Sequence, residues 1–351
     1  MKSDDFRPAI PAPDEGARAR AQARWAQIAK PLGSLGALEG HLCRIAALTG
    51  EETISLTPRT LLVFCADNGV VAQGVTQTGS EVTARVARAL AAGISTASRM
   101  AAVAGCRVLP VDVGIRDFAG EGGVLPRRVK NGTGDITRGP AMTRDEAERA
   151  IRTGAELAGQ MAAEGCRLLL IGEMGIGNTT TTAAVTAALL GAQPRSITGR
   201  GAGLSSAGLR RKVAAVERAL AVNQPDGGDP VDVLSKVGGL DLAALTGAIL
   251  GAAARRLPVL LDGVITAAAA LCAVRLCPAA GAALLPSHQS AEPAGRLLLD
   301  ALGLEPLIQA GMRVGEGAGA LAALPLYDMA LAVYGGTTFA DLAMPAYEEL
   351  T

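Results

Sequence analysis

The sequence predicts an α/β fold built on a mostly parallel sheet. Short apolar runs alternate with longer stretches of helical spacing, the pattern of repeated β-α units. Those runs end again and again in a carboxylate followed closely by glycine, as at Asp67, Asp112, Glu173 and Asp262. With 351 residues, of which 49% are hydrophobic, the chain can bury a sizeable core.

The elements follow in order. Residues 1–16 read as an arm, and 17–30 and 35–49 as amphipathic helices joined by Lys30-Pro31-Leu32-Gly33-Ser34. Thr60 to Ala66 is the first strand, closed by Asp67-Asn68-Gly69. Helical spacing then runs from Glu81 to Ala104, and Arg107 to Asp112 is a second strand. Residues 115–142 read as a long loop. Thr143 and Glu146 form a capping box that opens a helix to about Glu164. Leu168 to Ile171 is the third strand and leads through Gly172-Glu173-Met174-Gly175-Ile176-Gly177 into a helix over 178–190. A glycine-rich loop over 191–204 precedes a helix capped by Ser205 or Ser206 that reaches about Asn223. Gly238-Gly239 breaks the next helix, and 241–256 is another. Strands over 257–261 and 281–285 flank a helix over 265–275. A helix over 291–302, a strand over 306–311 and closing helices complete the expectation.

In parallel sheets ligands bind beyond the carboxyl ends of the strands. That rule gathers Asp67, Asp112, Glu173, Asp262, Ser287 and, if the strand over 306–311 forms, Glu316 onto one rim. The turn over 172–182 has the features of an anion site, because glycines admit close backbone approach and a helix start favours negative charge. It is neither the phosphate loop of nucleoside triphosphatases, lacking the Lys, nor the dinucleotide fingerprint, lacking the third glycine. Gly199-Arg200-Gly201-Ala202-Gly203 is a second cradle, and Lys212 lies one to two turns into the helix behind it, where it reads as a phosphate charge or as a solvated helix lysine. Glu316, between Gly315 and Gly317, reads as a helix-start carboxylate or as a base held against a ligand.

Charge balances at 33 basic and 33 acidic residues, which argues against nucleic-acid or anionic-membrane binding by bulk electrostatics. Acidic and basic residues interrupt the apolar run from Leu240 to Leu276, so it is not a membrane span. The six cysteines are scattered and the histidines are only His41 and His288. Neither a disulfide framework nor a metal site is expected, and no cofactor. Phosphate binding with a carboxylate as general base is what remains.

At these residues the sequence resembles the nicotinate-nucleotide:5,6-dimethylbenzimidazole phosphoribosyltransferase family over nearly its whole length. The points of similarity include Lys30-Pro-Leu-Gly-Ser-Leu-Gly, Ala66-Asp67-Asn68-Gly69-Val70, Glu81-Val82-Thr83 and Pro140-Ala-Met-Thr143. They continue with Gly172-Glu-Met-Gly-Ile-Gly-Asn-Thr-Thr180, Gly199-Arg-Gly-Ala-Gly203 with Lys212, and Gly238-Gly239. The last are Asp262-Gly263, Ser287-His-Gln-Ser290-Ala-Glu292 and Gly315-Glu316-Gly317. The resemblance implies transfer of the 5-phosphoribosyl group of nicotinate mononucleotide to a dimethylbenzimidazole-type base, with inversion. The products are α-ribazole 5′-phosphate, for the lower ligand of cobamides, and nicotinate. It implies Glu316 as the base that takes the acceptor's N–H proton and Glu173 as a second catalytic carboxylate lining the acceptor pocket. Substrate-binding residues carried over are Asp67, Ser80, Gly175, Gly177, Asn178, Thr179, Gly201, Gly203, Lys212, Asp262, Gly263, Ser290 and Gly315. It further implies a homodimer, with a Rossmann-like large domain over 58–311, helices on both sheet faces, and a small helical domain from 1–57 and 312–351; the scattered cysteines read as buried free thiols of a cytoplasmic protein. The Lys30 turn is equally well explained as a helix–turn signal and is taken as structural.

Two departures stand out. Asn68 occupies a position where the family usually has His, and Ala92-Gly93-Ile94-Ser95-Thr96 replaces a Gly-Gly-Ala-Ala-Ile-Asn run. Both fall in 67–96, which the family uses for the acceptor, so benzimidazole, purine and phenolic acceptors all stay open. With only 2% aromatic residues, a flat acceptor would lie between aliphatic walls. A non-catalytic nucleotide-binding homologue is the reading from another class, and a base set between two glycines speaks against it.

Overall fold

The computed structural model describes residues 8–120 and 122–348. Helices α1 (Glu15–Gln27) and α2 (Ala37–Thr49) precede strand β1 (Arg59–Ala66). Next come α3 (Glu81–Ala91), α4 (Thr96–Val103), β2 (Arg107–Gly114), β3 (Leu125–Pro126), α5 (Arg144–Ala163) and β4 (Leu168–Met174). Helices α6 (Asn178–Leu190), α7 (Pro194–Ile197), α8 (Ser206–Asn223), α9 (Pro230–Val237) and α10 (Leu240–Ala254) lead to β5 (Val259–Leu261). The remainder is α11 (Val264–Leu276), β6 (Leu284–Pro286), α12 (Ala294–Leu302) and α13 (Ala318–Tyr334).

All six strands pair in parallel in the order β3-β2-β1-β4-β5-β6. The order reverses between β1 and β4, and a crevice opens at such a switch point. Alternation along the strands sends side chains to two faces. Leu62, Phe64, Leu169, Ile171, Val259 and Leu261 join the core beneath α5, α10 and α11. Leu61, Val63, Cys65, Leu168, Leu170 and Leu260 join the core beneath α2, α4 and α13. Trp25 of α1 packs edge-on against Tyr334 of α13, ring centroids 5.0 Å apart, so the two chain ends share one layer.

Several expectations change. The helical stretch over 81–104 is two helices, because the chain turns through Ala92-Gly93-Ile94-Ser95 and Ser95 caps α4 through Ser98 N. The loop over 115–142 contributes the two-residue edge strand β3. No strand forms over 306–311: the amides of Leu307 and Ile308 both donate to Ser287 O, leaving one isolated bridge to His288. A single helix, α13, closes the chain, followed by turns. Residues 1–7 of the expected arm lie outside the described residues; beyond them, Ile10 packs on the core and Asp14 caps α1 through Ala17 N. The capping box stands as Thr143 and Glu146 predicted, and Lys30 pairs with Glu39 at 2.6 Å inside its turn.

Helices α5 and α10 lie nearly in backbone contact. A Cβ at Gly247 would fall 1.8 Å from Ile151 O, and one at Gly154 would fall 1.9 Å from Ala244 O. Gly247→Ala should therefore force the pair apart and destabilise the protein by about 3 kcal/mol. Urea denaturation should show a lower midpoint; an unchanged midpoint would refute this packing.

Candidate active site

The carboxyl ends of β4, β5 and β6 open into a cavity of about 250 Å³. Its walls are the segment over 75–78, the β4–α6 turn, the loop over 200–204, the starts of the segments after β5 and β6, and residues 312–316. Val86, Met174, Ile176, Val264, Ile265 and Met312 supply apolar surface, and no Phe, Tyr or Trp lines it among the described residues.

One end is cationic. Lys212 of α8 is 1% exposed, and its ammonium donates to Thr179 Oγ1 at 2.7 Å, at the start of α6. No carboxylate reaches ion-pair distance of it among the described residues, although Glu292, which accepts from Gly201 N at 3.0 Å, is near enough to favour its charge. Burial is the larger effect and lowers the Lys212 pKa to about 8. A buried ammonium beside a helix start is short of an anion. Gln77 donates to Gly203 O and ties the walls together above this end.

The other end is acidic. Gly172 lets the segment over 315–317 lie directly on β4: a Cβ there would fall 2.4 Å from Gly317 N and 2.6 Å from the Glu316 carbonyl carbon. Glu316 N donates to Glu173 O at 3.1 Å. Asp262, at the end of β5, accepts from Gly317 N at 3.0 Å and Gly319 N at 2.7 Å. Glu316 itself sits at φ 60°, between Gly315 and Gly317 both at φ 83°. A non-glycine residue in the left-handed region carries strain and persists only where its surroundings impose it.

Burial raises the Glu316 carboxyl above its ordinary range, opposed by the Ala97 N–H and the Ser95 hydroxyl and helped by Asp262. Burial and then the charges of Asp241 and Asp262 push Glu173 up much further, against the Asn178 amide. Burial also raises Asp262, while His288 and the Gly319 and Gly317 amides pull it back.

Of the residues singled out from sequence, Glu173, Gly175, Gly177, Asn178, Thr179, Gly201, Lys212, Asp262, Gly263, Ser290, Gly315 and Glu316 line this cavity. Asp67, Ser80 and Gly203 lie outside its lining. Asp67 accepts from Arg116 N at 2.8 Å, and Ser80 precedes α3. Asp112 and Ser287 stand at the carboxyl ends of β2 and β6 but outside the lining as well: Asp112 binds Arg128 and the Ile115 amide, and the Ser287 hydroxyl donates to Asp262 O. Both departures from the family pattern fall outside the cavity lining. Asn68 is buried behind the floor, and Ser95 touches Glu316. Asp241, which the sequence does not mark, lies behind the lining and accepts from the Asn178 amide.

A phosphoribosyltransferase family model matches residues 10–343. The chain is 44% identical, over 328 residues and 93% of each sequence, to nicotinate-nucleotide–dimethylbenzimidazole phosphoribosyltransferase of Acetivibrio thermocellus. The chain belongs to this family. The enzyme of the same name from Ruminiclostridium cellulolyticum is 43% identical over 94% of each chain. The crystal structure of CobT from Thermus thermophilus superposes with a TM-score of 0.90 at 41% identity, covering 94% of this chain and 99% of that one. The resemblance seen in scattered motifs thus extends through nearly the whole chain and its fold.

Inorganic phosphate should bind the cationic end and weaken as pH rises through about 8, where Lys212 loses its proton. Calorimetric titration should show Lys212→Met losing roughly 10–100-fold in affinity, the scale of a charged hydrogen bond. Equal affinity in the variant would remove Lys212 from the phosphate site.

Proposed function

We propose that this chain moves the 5-phosphoribosyl group of nicotinate mononucleotide to a 5,6-dimethylbenzimidazole-type base, releasing nicotinate and forming α-ribazole 5′-phosphate for the cobamide lower ligand. The carrying observation is that a buried Lys212 with no ion-pair partner among the described residues and the side chain of Glu316, held on a left-handed backbone, line the same cavity. The family's activity is nucleotide–base ribosyl transfer, and these groups suit its two halves.

In this reading the donor phosphate rests on the α6 start, Thr179 and Lys212. The acceptor lies between the aliphatic walls near Glu173 and Glu316. Glu316 takes the acceptor's N–H proton while the other ring nitrogen attacks C1′. The bond from C1′ to the pyridine nitrogen breaks, and its electron pair neutralises the pyridinium, so nicotinate leaves without a general acid. Attack opposite the leaving group inverts C1′ to the α configuration. Burial and the neighbouring Asp262 strengthen Glu316 as a base, since they raise its affinity for a proton.

A homodimer working in the cytoplasm belongs to the same proposal. So does the division into 58–311 and a small helical unit from both chain ends, supported by the shared layer of α1, α2 and α13.

With nicotinate mononucleotide and dimethylbenzimidazole, Glu316→Gln should lower turnover by roughly 100-fold or more, the scale of lost general-base catalysis. Chromatography of released nicotinate reads this, and undiminished turnover would remove Glu316 from the role. Because the base must be ionised, kcat/KM in the wild type should fall as pH drops through the raised Glu316 pKa. A panel of benzimidazole, purine and phenolic acceptors, scored by product, separates the acceptor classes. No nicotinate release with any of them would overturn the enzymatic reading.

A further inference from the structure

Beneath the acidic end lies a second buried carboxylate that does not reach the cavity. Asp241, at the start of α10, is fully buried. The single side-chain amide of Asn178 donates to both Glu173 Oε2 and Asp241 Oδ2, the latter at 3.1 Å. Asp241 also accepts from Leu242 N at 3.0 Å. Asp262 has two backbone amides and the neighbouring His288. Among the described residues the Glu173 carboxylate has only its share of Asn178, and Asp241, Asp262, Glu316 and the buried Cys65 thiol of β1 all face it. Asp67 lies beyond Asp241. Lys and Arg form no ion pair with Glu173 or Asp241 among the described residues. Two buried carboxylates joined by one donor cannot both stay ionised without a counter-charge. Asp241, with its two N–H donors, is the better home for the charge, and Glu173 is the group left to take the proton.

We propose that Asp241 keeps Glu173 protonated, so that the acceptor end of the cavity presents one neutral carboxylic acid beside one ionised carboxylate, Glu316. Asp241 is a positioning residue that acts through Asn178 and Glu173. A charged Glu173 would compete with Glu316 for the ring N–H and allow a flipped, unproductive acceptor. A neutral Glu173 leaves Glu316 as the sole charged acceptor of that proton, so the opposite ring nitrogen faces C1′. Two carboxyls with environments that separate their proton affinities divide acid and base duties in this way. The raised proton affinities of Glu173 and, to about 6, of Asp241 fit the same picture.

The mechanistic meaning rests on the ribosyl-transfer reading, but the test needs no turnover. Glutamate labelled with 13C at the carboxyl carbon is followed by NMR through a pH titration of the full chain, with Glu173→Gln assigning the resonance. The wild-type Glu173 carboxyl should be protonated at pH 7. In Asp241→Asn its midpoint should fall by about one pH unit or more, as removal of a neighbouring like charge requires. An ionised Glu173 at pH 7 in the wild type, or an unchanged midpoint in a folded Asp241→Asn, would overturn the proposal. If that variant does not fold, Asp241→Ser takes its place under the same criterion.

Discussion

The site depends on one close approach, that of the Gly315-Glu316-Gly317 segment to strand β4 at Gly172. The backbone of Gly317 lies where any side chain at 172 would stand. The contact is locked from two sides, by Glu173 O receiving Glu316 N and by the Asp262 carboxylate receiving Gly317 N and Gly319 N. Asp262 therefore serves the site by holding backbone. Its two amide bonds keep Glu316 in a left-handed conformation that the residue would not adopt alone. The side chain that results is aimed by the fold, and little of its freedom is left to lose when a substrate arrives.

Around that contact the cavity is polarised. The positive end is built from the start of α6 and from α8, and the acidic end from the carboxyl ends of β4 and β5 and the segment before α13. Lys212, Glu173 and Asp262 are buried, and that makes each more demanding of a partner than it would be in water. Lys212 gives up part of its proton affinity to be buried, and the carboxylates gain theirs. A donor with a phosphate at one end and an acceptor with a labile proton at the other would satisfy both. Between the two ends, Val86, Met174, Ile176, Val264, Ile265 and Met312 give the walls aliphatic surface.

Much of the fold could be read from the chain because the apolar runs are short, alternate with helices and stop at glycine. The parallel strands, the capping box at Thr143 and the cap at Ser205 all stand close to where the residues place them. What could not be read depends on distant contacts. Helical spacing continues through Ile94 and Ser95, yet the chain turns there so that Ser95 and Ala97 reach Glu316. Carboxylates at strand ends looked alike in sequence, but they divide by position in the sheet. Those of β1 and β2, Asp67 and Asp112, latch the loop after β2 through Arg116 N and Ile115 N. Those of β4 and β5 face the cavity, on the far side of the switch point. Asp241 was illegible, since nothing in its neighbourhood along the chain announces Asn178 or Glu173.

The measurement that bears most directly on this account is a crystal structure of the protein with nicotinate mononucleotide and dimethylbenzimidazole bound in an inactive Glu316→Gln variant. The account predicts the donor phosphate in contact with Lys212 Nζ and the α6 start. It also predicts a ring nitrogen of the acceptor within hydrogen-bond reach of the residue 316 amide, at about 2.6–3.2 Å. An acceptor whose ring nitrogens both lie against Glu173 and away from residue 316 would contradict it.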